Sequence, residues 1–444
     1  MNDTPQKKST YRPRPISGFP EMLPEVRLAE LAFIDDIRKA FESFGFCSIE
    51  TPAVEELEVL LAKGETDKEI YILNRLQGEG DDKDARLGLH YDLTVPLARY
   101  VAQHFGDLTF PFKRYQIQKV WRGERPQEGR YREFTQCDID VINVDHLPLQ
   151  FDAEMPAIAY DIMRRRGISD IVLKLSNRKI LAGFMEGLSI AKASEAIRIL
   201  DKLDKLPHAE VGKLLASECC MQESAIAKCI DLADIRTQDT SFAKKVCALG
   251  VMNETLEAGL DELAQVMDML AELPQGAIEA DLCIARGFDY YTGTVYEGKF
   301  TSYPDYPTIM AGGRYDDLAS AFINKKLPGV GISIGLSRLF PKLLQEGRLN
   351  ATRQCPTDVL VISPSAERHG LALATSRILR ARGLKVELFH MPGKLDRQLK
   401  YANKKGIPFV WFPPFEDGMP HEVKNMTTSE QQKADPATWE KPNV

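Results

Sequence analysis

The sequence predicts an α+β protein built around antiparallel strands, with a helical insertion and a C-terminal α/β domain. Three observations carry this. Residues 110–143 read as two alternating runs flanking a Gly-, Arg- and Pro-containing middle, the pattern of a long hairpin. From about Arg178 to Leu273 the periodicity becomes almost wholly helical, and strand-rich sequence resumes at Ala277, so this block interrupts a region that continues beyond it. After Cys355-Pro356 the order β-α-β-α-β implies a small, mostly parallel sheet. The division that follows is a flexible tail over 1–15, a core over 16–177 and 274–345, an insertion over 178–273 and a last domain over 356–444.

The elements follow in chain order. Residues 28–44 place apolar side chains at helical spacing, and Gly45 stands where such a helix would stop. Residues 47–52 read as a short strand ended by Pro52. The Gly- and Asp-rich stretch 74–88 is expected to be a solvated loop or turn. Within the helical block, 193–203 and 256–273 are the clearest helices. In the last domain, strands over 358–363, 384–389 and 407–412 alternate with helices over 367–382 and 394–405. No internal repeat is visible.

Composition narrows the class. The chain has 444 residues, 44% hydrophobic and 27% charged, which is ordinary globular material with room for two or three domains. No run of about eighteen apolar residues could span a bilayer, and the polar N-terminus lacks the apolar core of a secretory signal. The eight cysteines are scattered without a C-x-x-C pair, the usage expected of reduced thiols in a cytoplasmic protein. Cys219, Cys220 and Cys229 near His208 match no zinc spacing, so no metal site is assigned. A net charge of −7 argues against nonspecific coating of nucleic acid, and any RNA contact must come from local basic patches.

Two stretches are chemically loaded. Residues 285–297 join Arg286 to Asp289, Tyr290, Tyr291 and flanking glycines. Arginine stays charged in a protein, so Arg286 can only hold or stabilise negative charge, while paired tyrosines suit a small flat polar ligand. The same residue types would also fit a hairpin corner with an exposed arginine. In the long hairpin, Gln136, Asp138 and Asp140 fall on one strand face, and Thr135, Cys137, Ile139 and Val141 on the other. Such a polar face is either solvated or lines a polar site. The connecting segment sets Arg122, Arg125, Arg130 and Arg132 beside Glu124, Glu128 and Glu133.

These stretches resemble the histidyl-tRNA synthetases, a class II aminoacyl-tRNA synthetase family. Residues 285–297 resemble its histidine-binding signature, and 122–136 resemble class II motif 2. Residues 90–96 (HYDLTVP) resemble the family's amino-group motif, with His90 where arginine is common. Residues 311–316 (AGGRYD) resemble a second histidine-enzyme signature, and 329–339 resemble motif 3, a strand leading into a helix that carries Arg338. Residues 18–24, the following helix and the strand to Pro52 resemble, more faintly, the dimer-forming motif 1.

The resemblance implies a class II antiparallel-sheet catalytic core, a helical insertion and a C-terminal α/β anticodon-binding domain. It implies a cytoplasmic homodimer that uses ATP with Mg²⁺ to convert L-histidine to histidyl-adenylate, then loads the terminal adenosine of tRNA(His). Arg286 and Arg122 would be catalytic. Asp92, Leu93, Thr94, Gln136, Asp140, Arg286, Tyr290 and Tyr291 would hold histidine. Arg122, Glu124, Arg130, Phe134 and Arg338 would hold ATP, with Phe134 stacked on the purine. Residues 356–444 carry 13 Lys and Arg against 10 Asp and Glu, mildly basic in an acidic chain. That suffices for a single-stranded loop held by stacking and base-edge contacts. Two rivals remain. One is the non-catalytic paralogue that serves as regulatory subunit of ATP phosphoribosyltransferase, which characteristically lacks the last domain. The other is a class II synthetase for another amino acid such as proline, threonine or glycine.

Overall fold

The computed structural model describes residues 12–62, 69–74, 86–284 and 290–442. The chain forms two compact units, residues 1–20 with 35–342 and residues 21–34 with 343–444. In the first unit nine strands make one sheet. Their order is Cys47–Ser48, Phe112–Trp121, Glu133–Ile142, Gly329–Gly335, Met310–Tyr315, Thr294–Phe300, Ile171–Asn177, Ile278–Asp281 and Arg236–Thr237. Neighbours run antiparallel except Cys47–Ser48 beside Phe112–Trp121 and Ile171–Asn177 beside Ile278–Asp281.

The second parallel pair explains the helical block. Adjacent parallel strands need a long crossover. Six helices supply it: Arg178–Gly187, Ala193–Leu200, His208–Cys219, Glu223–Ala233, Phe242–Ala248 and Glu254–Met269. Asn177 and Asn253 cap the first and last, accepting from the amides of Lys179 at 3.0 Å and Leu256 at 2.9 Å. The block is not purely helical, because Arg236–Thr237 adds a short strand at the sheet edge.

The hairpin forms with Phe112 opposite Ile142 and Trp121 opposite Glu133. Period-two alternation puts Cys137, Ile139 and Val141 in the core, fully buried. The opposite face is not solvated. Gln136, Asp138 and Asp140 are 8%, 3% and 3% exposed, which makes it the wall of a polar site. The helix Thr94–Gln103 packs Val95, Leu97, Ala98 and Val101 into a cluster with Tyr91, Ile142, Tyr290 and Tyr315, and this cluster backs the site.

Several local expectations need correction. The first helix is Pro24–Ser43, and Gly45 follows at φ +79°, a conformation suited to glycine. The expected strand 47–52 shrinks to Cys47–Ser48. Of the expected loop 74–88, residues 75–85 lie outside the described residues, and its end is the strand Leu87–Leu89 paired with Val54–Glu56.

In the second unit the sheet order is Val386–Leu388, Val359–Val361, Phe409–Phe412, Glu422–Asn425 and Gln431–Lys433. The first three strands are parallel, as expected, with helices His369–Ala381 and Leu395–Lys405 between them. The last two are antiparallel additions, so the sheet is not mostly parallel. Val359, Val361, Phe409 and Trp411 pack with Leu379 on one face. Leu360, Val410 and Phe412 pack with Ala402 on the other. Strands covered on both faces read as unbroken apolar runs, which is why they stand out in the sequence.

Candidate active site

A cleft of about 1010 Å³ opens over the central strands of the nine-stranded sheet. Its wall includes Asp92, Thr94, Arg122, Glu124, Arg130, Phe134, Gln136, Asp140, Tyr290, Tyr291 and Arg338, residues from segments up to 246 positions apart. These are the expected histidine- and ATP-binding residues, with two exceptions. Arg286 lies outside the described residues, as do the other positions of 285–289. Leu93 sits behind the cleft, fully buried, and its carbonyl accepts from Arg114 at 3.3 Å. An apolar side chain next to the helix start turns inward to the core and leaves the cleft to its polar neighbours.

The acidic part of the cleft is built first by Asp92. One of its carboxylate oxygens accepts from the Val95 amide at 3.2 Å, at the start of the helix, and the other from the Tyr290 hydroxyl at 3.2 Å. Burial pushes its pKa up to about 6, against the opposing pull of the Val95 amide and the Arg122 charge. Asp140 pairs with the fully buried Arg114 at 2.7 Å and accepts from the Tyr315 hydroxyl at 2.8 Å. Burial also raises the Asp140 pKa, and Arg114 pulls it back. A Cβ on Gly331 would land on the Asp140 carboxylate, so glycine at that position makes room for it. Gln136 donates to the Ser333 hydroxyl at 2.7 Å and more weakly to Asp138 at 3.4 Å. Tyr290 and Tyr291 stand edge to face with ring centres 4.9 Å apart.

The cationic part comes from the hairpin tip and the strand-to-helix junction. Arg122 donates to the Tyr91 carbonyl at 3.0 Å and stacks its guanidinium 5.1 Å from the Phe134 ring centre. Arg338 donates to the Gly129 carbonyl at 2.7 Å and to the Thr308 carbonyl. Arg130 lies 3.4 Å from Glu124. Burial, followed by the nearby charges of Arg130 and Arg122, lowers the Arg338 pKa below its ordinary value. Cations crowded closely enough to oppose each other mark a place for an anion. Arg122 belongs to both parts, since its charge also favours the ionised form of Asp92.

Four residues of this site have no individual role assigned from the sequence, although Asp138 falls on the polar strand face and Tyr315 and Ser333 lie within motif segments. Asp138 lines the cleft, with its pKa pushed up to about 7 chiefly by burial. Arg114 and Tyr315 clamp Asp140, and Ser333 holds Gln136. Hairpin symmetry was the available signal for Arg114, which stands in register opposite Asp140. Other motif residues turn out to be structural. His90 is fully buried, its Nε2 lies 2.7 Å from the Lys119 carbonyl, and its ring packs against Trp121. Burial lowers its pKa, against the opposing pull of the Lys119 carbonyl. Arg314 pairs with Asp152 and donates to the Leu147 carbonyl, away from the cleft, while Gly312, Gly313 and Tyr315 line it.

A family model for histidyl-tRNA synthetase matches residues 18–339, well over half of the chain. That settles the family. The chain belongs to the histidyl-tRNA synthetases. It is 58% identical over 429 residues to a histidine–tRNA ligase of Thermobifida fusca, covering 96% of this chain and 98% of that one. A crystal structure of histidyl-tRNA synthetase from Nostoc sp. PCC 7120 superposes with a TM-score of 0.84 at 37% identity, covering 96% of this chain and 97% of that one. A Bacillus halodurans structure described as an ATP phosphoribosyltransferase regulatory subunit/histidyl-tRNA synthetase reaches a TM-score of 0.73 at 22% identity, covering 88% and 97%, a likeness of fold alone. The chain is thus an aminoacyl-tRNA synthetase, with the antiparallel catalytic sheet of class II and a separate C-terminal sheet domain.

Proposed function

We propose that the cleft joins L-histidine to ATP, forming histidyl-adenylate and releasing diphosphate, and then passes the histidyl group to the terminal adenosine of tRNA(His). The observation that carries this reading is the position of Arg122 between a cluster of buried acids and a cluster of arginines. An amino acid has its ammonium on one side and its carboxylate on the other, and ATP brings the phosphates. Asp92, Thr94 and Tyr290 offer acceptors to the ammonium, and Gln136, Asp140 and Tyr291 face the side chain. Arg122 then meets the carboxylate and the α-phosphate where they react. Arg130 and Arg338 neutralise the remaining phosphates, and Glu124 and Phe134 take the adenine.

In the first step a carboxylate oxygen of histidine attacks the α-phosphorus and the bond to diphosphate breaks. Charge gathers on the phosphate oxygens between two anions, so fixed cations in a dry site act most strongly there. Arg286 is assigned a second stabilising charge for that step by its sequence motif alone. In the second step a ribose hydroxyl of the tRNA attacks the acyl carbon and AMP leaves. Mg²⁺ would enter with ATP as part of that substrate and would add positive charge beside the phosphates. The remaining parts of the reading are a cytoplasmic homodimer formed through residues 18–52, an insertion over 178–273, and an anticodon site on residues 356–444. The regulatory-subunit alternative is supported by likeness of fold alone, and this chain keeps Arg122, Arg338 and the last domain. ATP–diphosphate exchange across the standard amino acids tests the proposal. Exchange is expected with L-histidine and lower by ~10⁴ with phenylalanine or glutamine, which leave buried polar groups unpaired. Equal exchange with another amino acid would overturn it.

A further inference from the structure

Three buried carboxylates face the amino-acid end of the cleft, and they are unequally provided for. Asp140 has Arg114 at 2.7 Å and the Tyr315 hydroxyl at 2.8 Å. Asp92 has the Val95 amide and the Tyr290 hydroxyl, and takes the substrate ammonium in the reading above. Asp138 is 3% exposed, lines the cleft, and forms no ion pair among the described residues. Its near partners are neutral: the Gln136 amide at 3.4 Å and Ser333 on the neighbouring strand. The charged and titratable groups that face it are Arg114 on the outer strand, Asp140 on its own, Asp92 ahead of the helix, and Tyr291 from the 290–291 pair. Arg114 directs one nitrogen, Nη2, to both Asp140 and the Leu93 carbonyl; its charge is felt at Asp138, but it makes no ion pair there. A buried carboxylate without a cation of its own either keeps a proton or meets a ligand that brings one.

We propose that Asp138 is a further specificity-determining residue, sharing one proton with the imidazole of the bound amino acid; this rests on the histidine reading of the cleft. Imidazole titrates near neutrality, so it suits this position in either state. It donates an N–H to the ionised carboxylate, or accepts the O–H of the acid. Burial lifts Asp138 to about 7, close to the ordinary imidazole value of about 6.5, so neither group holds the proton outright. A glutamine amide can donate but cannot take up the proton, and a phenyl ring leaves the carboxylate without a partner. The balance is one proton: already present on Asp138 or on the ring at low pH, and drawn from solvent on binding when both have lost it.

Calorimetric titration of the full chain with L-histidine, in two buffers of different ionisation enthalpy, reads that proton directly. Net uptake is expected to rise toward one proton per site between about pH 6.5 and about pH 8.5, and KM for histidine in ATP–diphosphate exchange to climb toward about tenfold per pH unit above neutrality. Asp138→Asn should abolish the uptake and flatten that profile. It should raise KM for histidine by about tenfold or more at neutral pH, the scale of one charge-assisted hydrogen bond, while KM for ATP stays within about twofold. Because calorimetry uses the unmodified protein, a variant that fails to fold does not remove the test. Histidine binding with no proton uptake at the alkaline end, or a folded Asp138→Asn with unchanged KM and pH profile, would overturn the role of Asp138. Failure of the unmodified protein to bind histidine at all would instead overturn the reading beneath it.

Discussion

The two ends of the cleft hold their charges by different physics. At the acidic end Asp92, Asp138 and Asp140 are nearly dry, and burial raises all three pKa values. At the arginine end Arg130 keeps 38% of its side chain exposed, and Arg122 and Arg338 are held by backbone carbonyls. A carboxylate can escape an unfavourable site by taking a proton, so its environment decides whether it is charged. A guanidinium cannot, and a neutral carbonyl orients it without cancelling its charge. The acidic end is therefore tunable and costly, whereas the arginine end keeps its charge at every ordinary pH.

Four substitutions sharpen that contrast. The largest expected effect is on stability, from Arg114→Met. It strands Asp140 without its cation in a dry site, and losing one partner of a buried pair costs ~3–5 kcal/mol. Urea denaturation followed by circular dichroism measures it, and a loss under about 1 kcal/mol would mean that the pair is dispensable. Arg122→Ala should act on rate instead, lowering histidine activation by ~10²–10³, the scale of one removed stabilising donor. Its effect on exchange should exceed its effect on melting temperature, because Arg122 lines the cleft and its charge faces Asp92. Normal exchange in this variant would remove Arg122 from the reaction centre.

Asp92→Asn should show the cost of the acidic end. The folded-state pKa of about 6 lies above the ordinary 3.8, so the folded protein holds a proton that the unfolded chain releases. The stability linked to that proton is complete below about pH 4 and is lost as pH rises through 6. Replacing the carboxylate should then stabilise the ligand-free protein by ~2–3 kcal/mol at neutral pH and scarcely at all at low pH, while weakening histidine binding. Thermal melts at both pH values decide it; equal shifts would show that no buried charge was relieved. Tyr315→Phe is the mildest, removing one hydroxyl bond to Asp140 for ~0.5–1.5 kcal/mol. Its KM for histidine should rise without a change in KM for ATP, and the reverse pattern would move Asp140 to the nucleotide side.

Much of this protein can be read without coordinates. Strand and helix periods are local properties, so the hairpin, the helical block and the helices of the last unit stand close to their expected bounds, as with His369–Ala381 inside 367–382. Short edge strands carry too little pattern to be seen. Arg236–Thr237 and Gln431–Lys433 become strands because a neighbour's open backbone groups pair with them. The motifs named most of the cleft wall, since close approach to a small polar ligand demands particular residue types at particular spacings. What the sequence alone could not decide is which polar residues are dry. Asp138 and Asp140 are two positions apart on one strand face, yet one has an arginine at hydrogen-bond distance and the other does not. That difference arises because Arg114, Tyr315 and Gly331 reach Asp140 from three different strands. Burial and charge pairing depend on neighbours distant in sequence, so only the folded sheet determines which carboxylate is paired with a cation and which is not.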